Sequence, residues 1–123
     1  MTRLQRAAFW ASALLLALLF FAVGFSKFGA SSAWRPRFAH WGFPDWARPA
    51  IGATEMLCAV ALLVPPLQRW AAALLGAVMA GAIATHLWHG EIARMAPPAL
   101  LAALLALLVK WRGRPNTSDR KDV

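Results

Sequence analysis

Residues 7–25, AAFWASALLLALLFFAVGF, carry no charge and are interrupted only by Ser12 and Gly24. A membrane-crossing helix needs about 20 mostly apolar residues, and this stretch has that length and composition. No alternating strand pattern runs through it, and the strands of membrane barrels are only about 10 residues long. Three further runs follow. Pro49 to Pro65 contains one acid, Glu55; Trp70 to Trp88 contains His86; Met95 to Trp111 carries Lys110 at its end. The reading is an all-α integral membrane protein, a four-helix bundle. Its spans are expected at about 7–27, 49–65, 70–88 and 95–111, with a basic tail, 112–123, expected to be disordered and cytoplasmic.

Composition supports the same class. The chain has 123 residues, of which 60% are hydrophobic, more apolar surface than one small soluble core can hide. Its net charge of +8 sits at the flanks of the apolar runs, not on one face, which argues for membrane-end anchors and against nucleic-acid binding. All seven tryptophans, Trp10, Trp34, Trp41, Trp46, Trp70, Trp88 and Trp111, lie near run ends or in the first loop, where indole is half wetted at headgroup level.

Lys and Arg give the orientation. Arg3, Arg6, Arg69, Lys110, Arg112, Arg114, Arg120 and Lys121 fall on one side, eight in all, and Lys27, Arg35, Arg37, Arg48 and Arg94 on the other, five. Both termini are therefore expected in the cytoplasm, with the chain in the cell's inner membrane. The first run, longer than the usual 7–15 residues of a signal-peptide core, reads as a span and not as a cleaved leader.

The connections add detail. The first loop, from Lys27 to Arg48, mixes Trp34, Phe38, Trp41, Phe43 and Trp46 with Arg35, Arg37, His40 and Asp45. It reads as a short amphipathic helix on the membrane surface, then a turn at Gly42 and Pro44, serving either as an interfacial anchor or as a lid. The short connection Pro65 to Arg69 makes the second and third spans antiparallel neighbours. In the third span Ala73, Ala77, Gly81 and Thr85 fall four residues apart. Small residues at that spacing let helices approach closely in lipid, so the stripe is expected to face the bundle interior, with a dimer face as the alternative.

Ionisable groups inside a membrane are costly and face protein or water. Glu55 lies seven residues beyond Arg48, roughly 10 Å into the membrane at 1.5 Å per residue. Lys27 and His86 lie at similar depth on two other spans. Ile51, Cys58 and Leu62 share the face of Glu55, and Met79 that of His86. Lys27, Glu55 and His86 thus form one polar layer. It either locks the bundle or lines a pocket for a lipophilic, redox-active ligand such as a quinone, with proton exchange between carboxyl and imidazole. His86, His89 and Glu91 do not complete a recognised metal site, and no metal is expected. Cys58, the single cysteine, has no disulfide partner in the chain and no adjacent base in sequence to activate it.

The order of short motifs resembles the DoxX-like family of small membrane proteins over about residues 8 to 110. Gly24-Phe25-Ser26-Lys27-Phe28 closes the first span as that family's Gly-x-x-Lys element does. Trp41-Gly42-Phe43-Pro44 is similar to its Gly-x-Pro turn, Ile51-Gly52-Ala53-Thr54-Glu55 to its Ile-Gly-x-x-Glu element, and Ala71 to His86 to its third span. The resemblance implies a four-helix membrane fold and no single reaction. Some members supply membrane subunits for thiosulfate:quinone oxidoreduction, others are tied to redox or oxidative-stress systems, and relatives include assembly chaperones. It points to Lys27, Glu55 and His86 as ligand- or proton-handling residues. Gly24, Gly42, Pro44, Gly52 and Gly81 are the packing and turn positions. The expected partners are the bilayer and another membrane protein or redox subunit, with a homo-oligomer left open. Scaffolding without catalysis is the alternative function. A small proton-coupled transporter ranks last, because exporters of this size carry their glutamate in the first span and Glu55 is in the second.

Overall fold

A computed structural model describes residues 1–113; the expected tail falls outside the described residues beyond Gly113. Every regular element in it is helical. The chain runs through α1 (Arg3–Phe25), α2 (Trp34–His40), α3 (Ala47–Ala61), α4 (Gln68–Trp88) and α5 (Ala96–Arg112), with short 3₁₀ turns at Pro65–Leu67 and Ile92–Met95.

Local chemistry explains the boundaries. Thr2 and Gln5 form a reciprocal capping box that satisfies two free N–H groups at the start of α1. Past the C-cap of α1 at Ser26, the chain is tied to another helix: Arg48 of α3 donates to the carbonyls of Lys27 and Gly29. Pro97 and Pro98 open α5, where a missing N–H costs nothing.

Neighbouring helices pack α1 on α3, α3 on α4, α4 on α5 and α5 back on α1, a closed ring of four. The core lies inside it. Phe9, Ala13, Leu16, Ala17 and Phe20 project from one face of α1 against Cys58, Ala59 and Leu62, then Ala72, Leu75 and Met79, then Leu105 and Leu108. The outer face of the same helices is equally apolar: Leu15, Leu18, Leu57, Val60, Leu100 and Leu107 are all exposed. A chain that is hydrophobic all round is built for a lipid solvent.

Two expectations need correction. The structure has five α-helices, not four: α1, α3, α4 and α5 form the ring, and the short helix read in the first loop is the fifth, α2, at one end of it. Three segments are long and apolar enough to cross a membrane, Arg3–Phe25, Pro65–Trp88 and Ile92–Arg112, while α3 has only fifteen helical residues. The small-residue stripe of α4 also does not line the interior: Ala73, Ala77 and Gly81 are exposed. The buried face of that helix is instead Ala71, Ala72, Leu75, Met79 and His86.

Candidate functional site

The site begins with two glycines. A Cβ on Gly24 would lie 2.6 Å from the carbonyl oxygen of Gly52, and one on Gly52 would lie 2.7 Å from that of Gly24. Only hydrogen fits between these backbones. The same contact brings each helix's glycine against the other's ionisable residue, since those Cβ positions lie 3.0 Å from Glu55 Cβ and 3.1 Å from Lys27 Cβ. The spacing Gly-x-x-Lys in α1 and Gly-x-x-Glu in α3 thus sets both side chains just beyond the point of closest approach.

There Lys27 Nζ meets Glu55 Oε1 at 2.8 Å, with the two side chains only 6% and 1% exposed. The Trp34 ring of α2 covers the ammonium, its centroid 4.4 Å from Nζ, a cation–π contact strengthened by the lack of water. The second carboxylate oxygen, Glu55 Oε2, is buried with no hydrogen-bond partner. Buried polar atoms are nearly always partnered, and an orphaned acceptor on a charged group is the costly kind.

A second polar cluster surrounds Glu91, in the connection between α4 and α5. Trp41 Nε1 donates to Glu91 Oε1 at 2.8 Å, and Arg94 Nη1 to Oε2 at 3.0 Å. His86 Nδ1 stands 3.4 Å from Oε1 but makes no hydrogen bond there. The Trp41 N–H, with help from His86 and Arg94, holds the Glu91 carboxyl below its ordinary value of 4.5 against an opposing desolvation effect. The Trp41 ring stands edge-on to His86, 5.3 Å between centroids, and His40 lies 5.7 Å from His89. Behind Trp41 opens a cleft of about 180 Å³ between Pro36, Arg37 and His40 on one wall and Glu91 and Arg94 on the other.

Lys27 and Glu55 therefore meet, whereas His86, though buried, has Glu91 and Trp41 as its neighbours. Gly42 ends the α2 segment at φ +83°, and Pro44 turns the chain into α3 by accepting from Ala47 N at 3.0 Å. Gly81 has open space where a Cβ would sit, so it is not a packing position within this chain. Sequence reasoning missed the pairing of Trp41 with Glu91, 50 residues apart, and the bonds from Arg48 to the carbonyls of Lys27 and Gly29. Neither has a periodic signature: the position of α2 at the end of the ring brings Trp41 to Glu91, and the packing of α1 on α3 brings Arg48 to the segment after α1.

The sequence pattern of the DoxX-like family matches residues 11–108, a span that includes α3 and every part of the site just described. The chain belongs to the DoxX-like family. No curated protein and no solved structure matches it. Within this DoxX-like chain, the Gly-x-x-Lys and Gly-x-x-Glu elements are the two halves of one contact, with the glycines creating the space that the ion pair occupies.

Proposed function

We propose that this DoxX-like protein is a membrane subunit or accessory of a quinone-linked redox system, with the Lys27–Glu55 pair as the polar end of a site for a lipophilic ligand. In this reading it crosses the cell's inner membrane four times, with both termini in the cytoplasm. The observation that carries it is Glu55 Oε2, a carboxylate oxygen withdrawn from water and lipid and left without a donor.

The residues present suit a quinone head. Lys27 Nζ donates to a carbonyl oxygen, and Glu55 Oε2 accepts from the hydroxyl of the reduced form. A quinone, when bound, supplies two-electron chemistry coupled to proton transfer. Lys27 holds the negative charge of Glu55 in place, Glu55 holds or releases a proton at Oε2, and Trp34 keeps water from the pair. His86, whose Nδ1 is also buried and unpartnered, is a second proton-handling group beside Glu91.

The test is extraction of lipophilic molecules from protein purified in mild detergent, identified by mass spectrometry in wild type and Glu55→Gln. A quinone retained by the wild type and lost from a folded Glu55→Gln protein supports the reading. A wild type that carries no quinone and takes none up when it is supplied removes it.

One observation favours a second reading, a non-catalytic assembly or scaffolding protein. The exposed stripe of Ala73, Ala77 and Gly81 on α4 has the small-residue spacing by which membrane helices meet. Stable co-purification with one membrane protein, without bound quinone, and its loss on Gly81→Leu would favour that reading.

A further inference from the structure

The Lys27–Glu55 pair is closed in this structure: Glu55 is 1% exposed and Lys27 5%. A ligand site needs an entrance, and α2 has the properties of one. Glycines at φ +90° (Gly29) and +83° (Gly42) flank the short helix. Both are free of neighbours at the Cβ position, and a pivot at Gly29 has to release the bond from Arg48 to its carbonyl. The inner face of α2 is aromatic. Trp34 lies over Lys27, Phe38 is buried, and Trp41 stands against His86. Trp34 also donates from Nε1 to Ser26 Oγ at 3.0 Å, beside the Gly29 pivot. At the opposite end the tie across to the ring is Trp41 Nε1 to Glu91 Oε1, and this bond bridges the cleft of about 180 Å³.

We propose that the α2 segment between Gly29 and Gly42 is a lid over the Lys27–Glu55 site, that the Trp41–Glu91 hydrogen bond is its latch, and that the ligand head enters through the cleft by donating a hydrogen bond to Glu91 in place of Trp41. The inference rests on the reading of that site as a ligand site. It narrows the ligand class to heads bearing a hydroxyl or N–H donor, such as a hydroquinone, because only a donor replaces the indole N–H without leaving Glu91 short of a partner. Of the three buried polar atoms that lack partners among the described residues, one, Gln68 Oε1, lies at the start of α4; lid opening also uncovers the other two, Glu55 Oε2 and His86 Nδ1. Their cost in the closed form lowers the cost of opening.

The experiment needs no ligand. Full-length protein in detergent is followed by amide hydrogen exchange and by pulsed acetylation of Lys27, in wild type, Trp41→Phe and Glu91→Gln. Trp41→Phe keeps a ring and removes the donor; Glu91→Gln keeps an acceptor and removes its charge. A hydrogen bond to a charged group is worth a factor of roughly ten or more in an opening equilibrium. In Trp41→Phe both α2 exchange and Lys27 acetylation should therefore rise about tenfold, with α1 and α3 amides unchanged and Glu91→Gln intermediate. Unchanged Lys27 acetylation in both variants, whether or not α2 exchanges faster, overturns the lid. If Trp41→Phe loosens the whole ring, Glu91→Gln decides by the same readouts. The quinone-extraction experiment reads a different quantity, so a failed lid and a failed ligand site are told apart.

Discussion

Gly24 and Gly52 touch through their backbones: a Cβ on either would fall within 2.7 Å of the other's carbonyl oxygen. The obstructing atoms are main chain and cannot rotate aside, so α1 and α3 would have to separate. Gly24→Ala and Gly52→Ala should each cost about 1–3 kcal/mol, the usual penalty of overpacking, and should loosen the Lys27–Glu55 pair that depends on the contact. Gly81→Ala meets open space and should be neutral or stabilising by up to about 1 kcal/mol, from helix propensity alone. Thermal unfolding in one detergent, comparing the three variants, checks both directions. A Gly52→Ala protein as stable as wild type would contradict the packing described here.

The ion pair makes a different kind of prediction. Breaking a buried pair by removing one partner typically costs about 3–5 kcal/mol, because the survivor is left charged and dry, whereas replacing both partners with apolar groups is often close to neutral. Lys27→Met and Glu55→Gln should each lower the unfolding temperature, and Lys27→Met with Glu55→Leu should recover most of the loss. Recovery of stability without recovery of ligand retention would separate the pair's packing role from its proposed binding role. Strictly additive losses would mean that the two side chains do not interact.

For Glu91 the sign follows from a lowered pKa. A carboxyl held below its ordinary value of 4.5 contributes stability that is fully present above that value and is lost as pH falls through the lower, folded value. The difference in unfolding temperature between wild type and Glu91→Gln should thus be constant from about pH 8 to 5 and should shrink only below about 4.5. A difference that changed near neutral pH would contradict the assignment of this stability to the Glu91 carboxylate.

Hydropathy made most of the fold legible, because in lipid the outward face of a helix must be as apolar as the core, and the long runs of α1, α4 and α5 stand out. It was less informative for α3, whose helix of fifteen residues carries Arg48, Pro49 and Glu55, and α2 has no apolar run at all. The face of Glu55 was readable from helical spacing: Glu55, Cys58 and Leu62 are buried and Ile51 is half-buried. The facing direction of the α4 stripe was not, since alanine and glycine are compatible with a packed face and with a lipid-facing one. Lys27 and Glu55 could be placed at one depth from sequence, but depth does not fix azimuth. It is the Gly24–Gly52 contact that turns them toward each other and leaves His86 to Glu91. Gln68 gave no signal either: it is buried at the start of α4, where its Nε2 donates to the carbonyl of Leu62 at 2.9 Å, a tie between two helix ends that only the short turn creates.

The shortness of α3 bears on topology. Fifteen helical residues at 1.5 Å each give about 22 Å, less than the roughly 30 Å of a typical hydrocarbon core. The helix is nevertheless one of the four in the ring, with exposed Leu57 and Val60 on its outer face. A short span is accommodated by local thinning of the bilayer and by flanking residues reaching the interface, and Trp46 and Arg48 occupy one end of α3 where such anchors belong. If α3 crosses, the number of crossings is even, and the proposed topology has both termini in the cytoplasm. Reporter fusions at the N-terminus and after Arg112 should then both report cytoplasmic, and a cysteine at Ala93, in a Cys58→Ser background, should react with a membrane-impermeant reagent added from outside. Termini on opposite faces would mean that α3 enters and leaves by the same side.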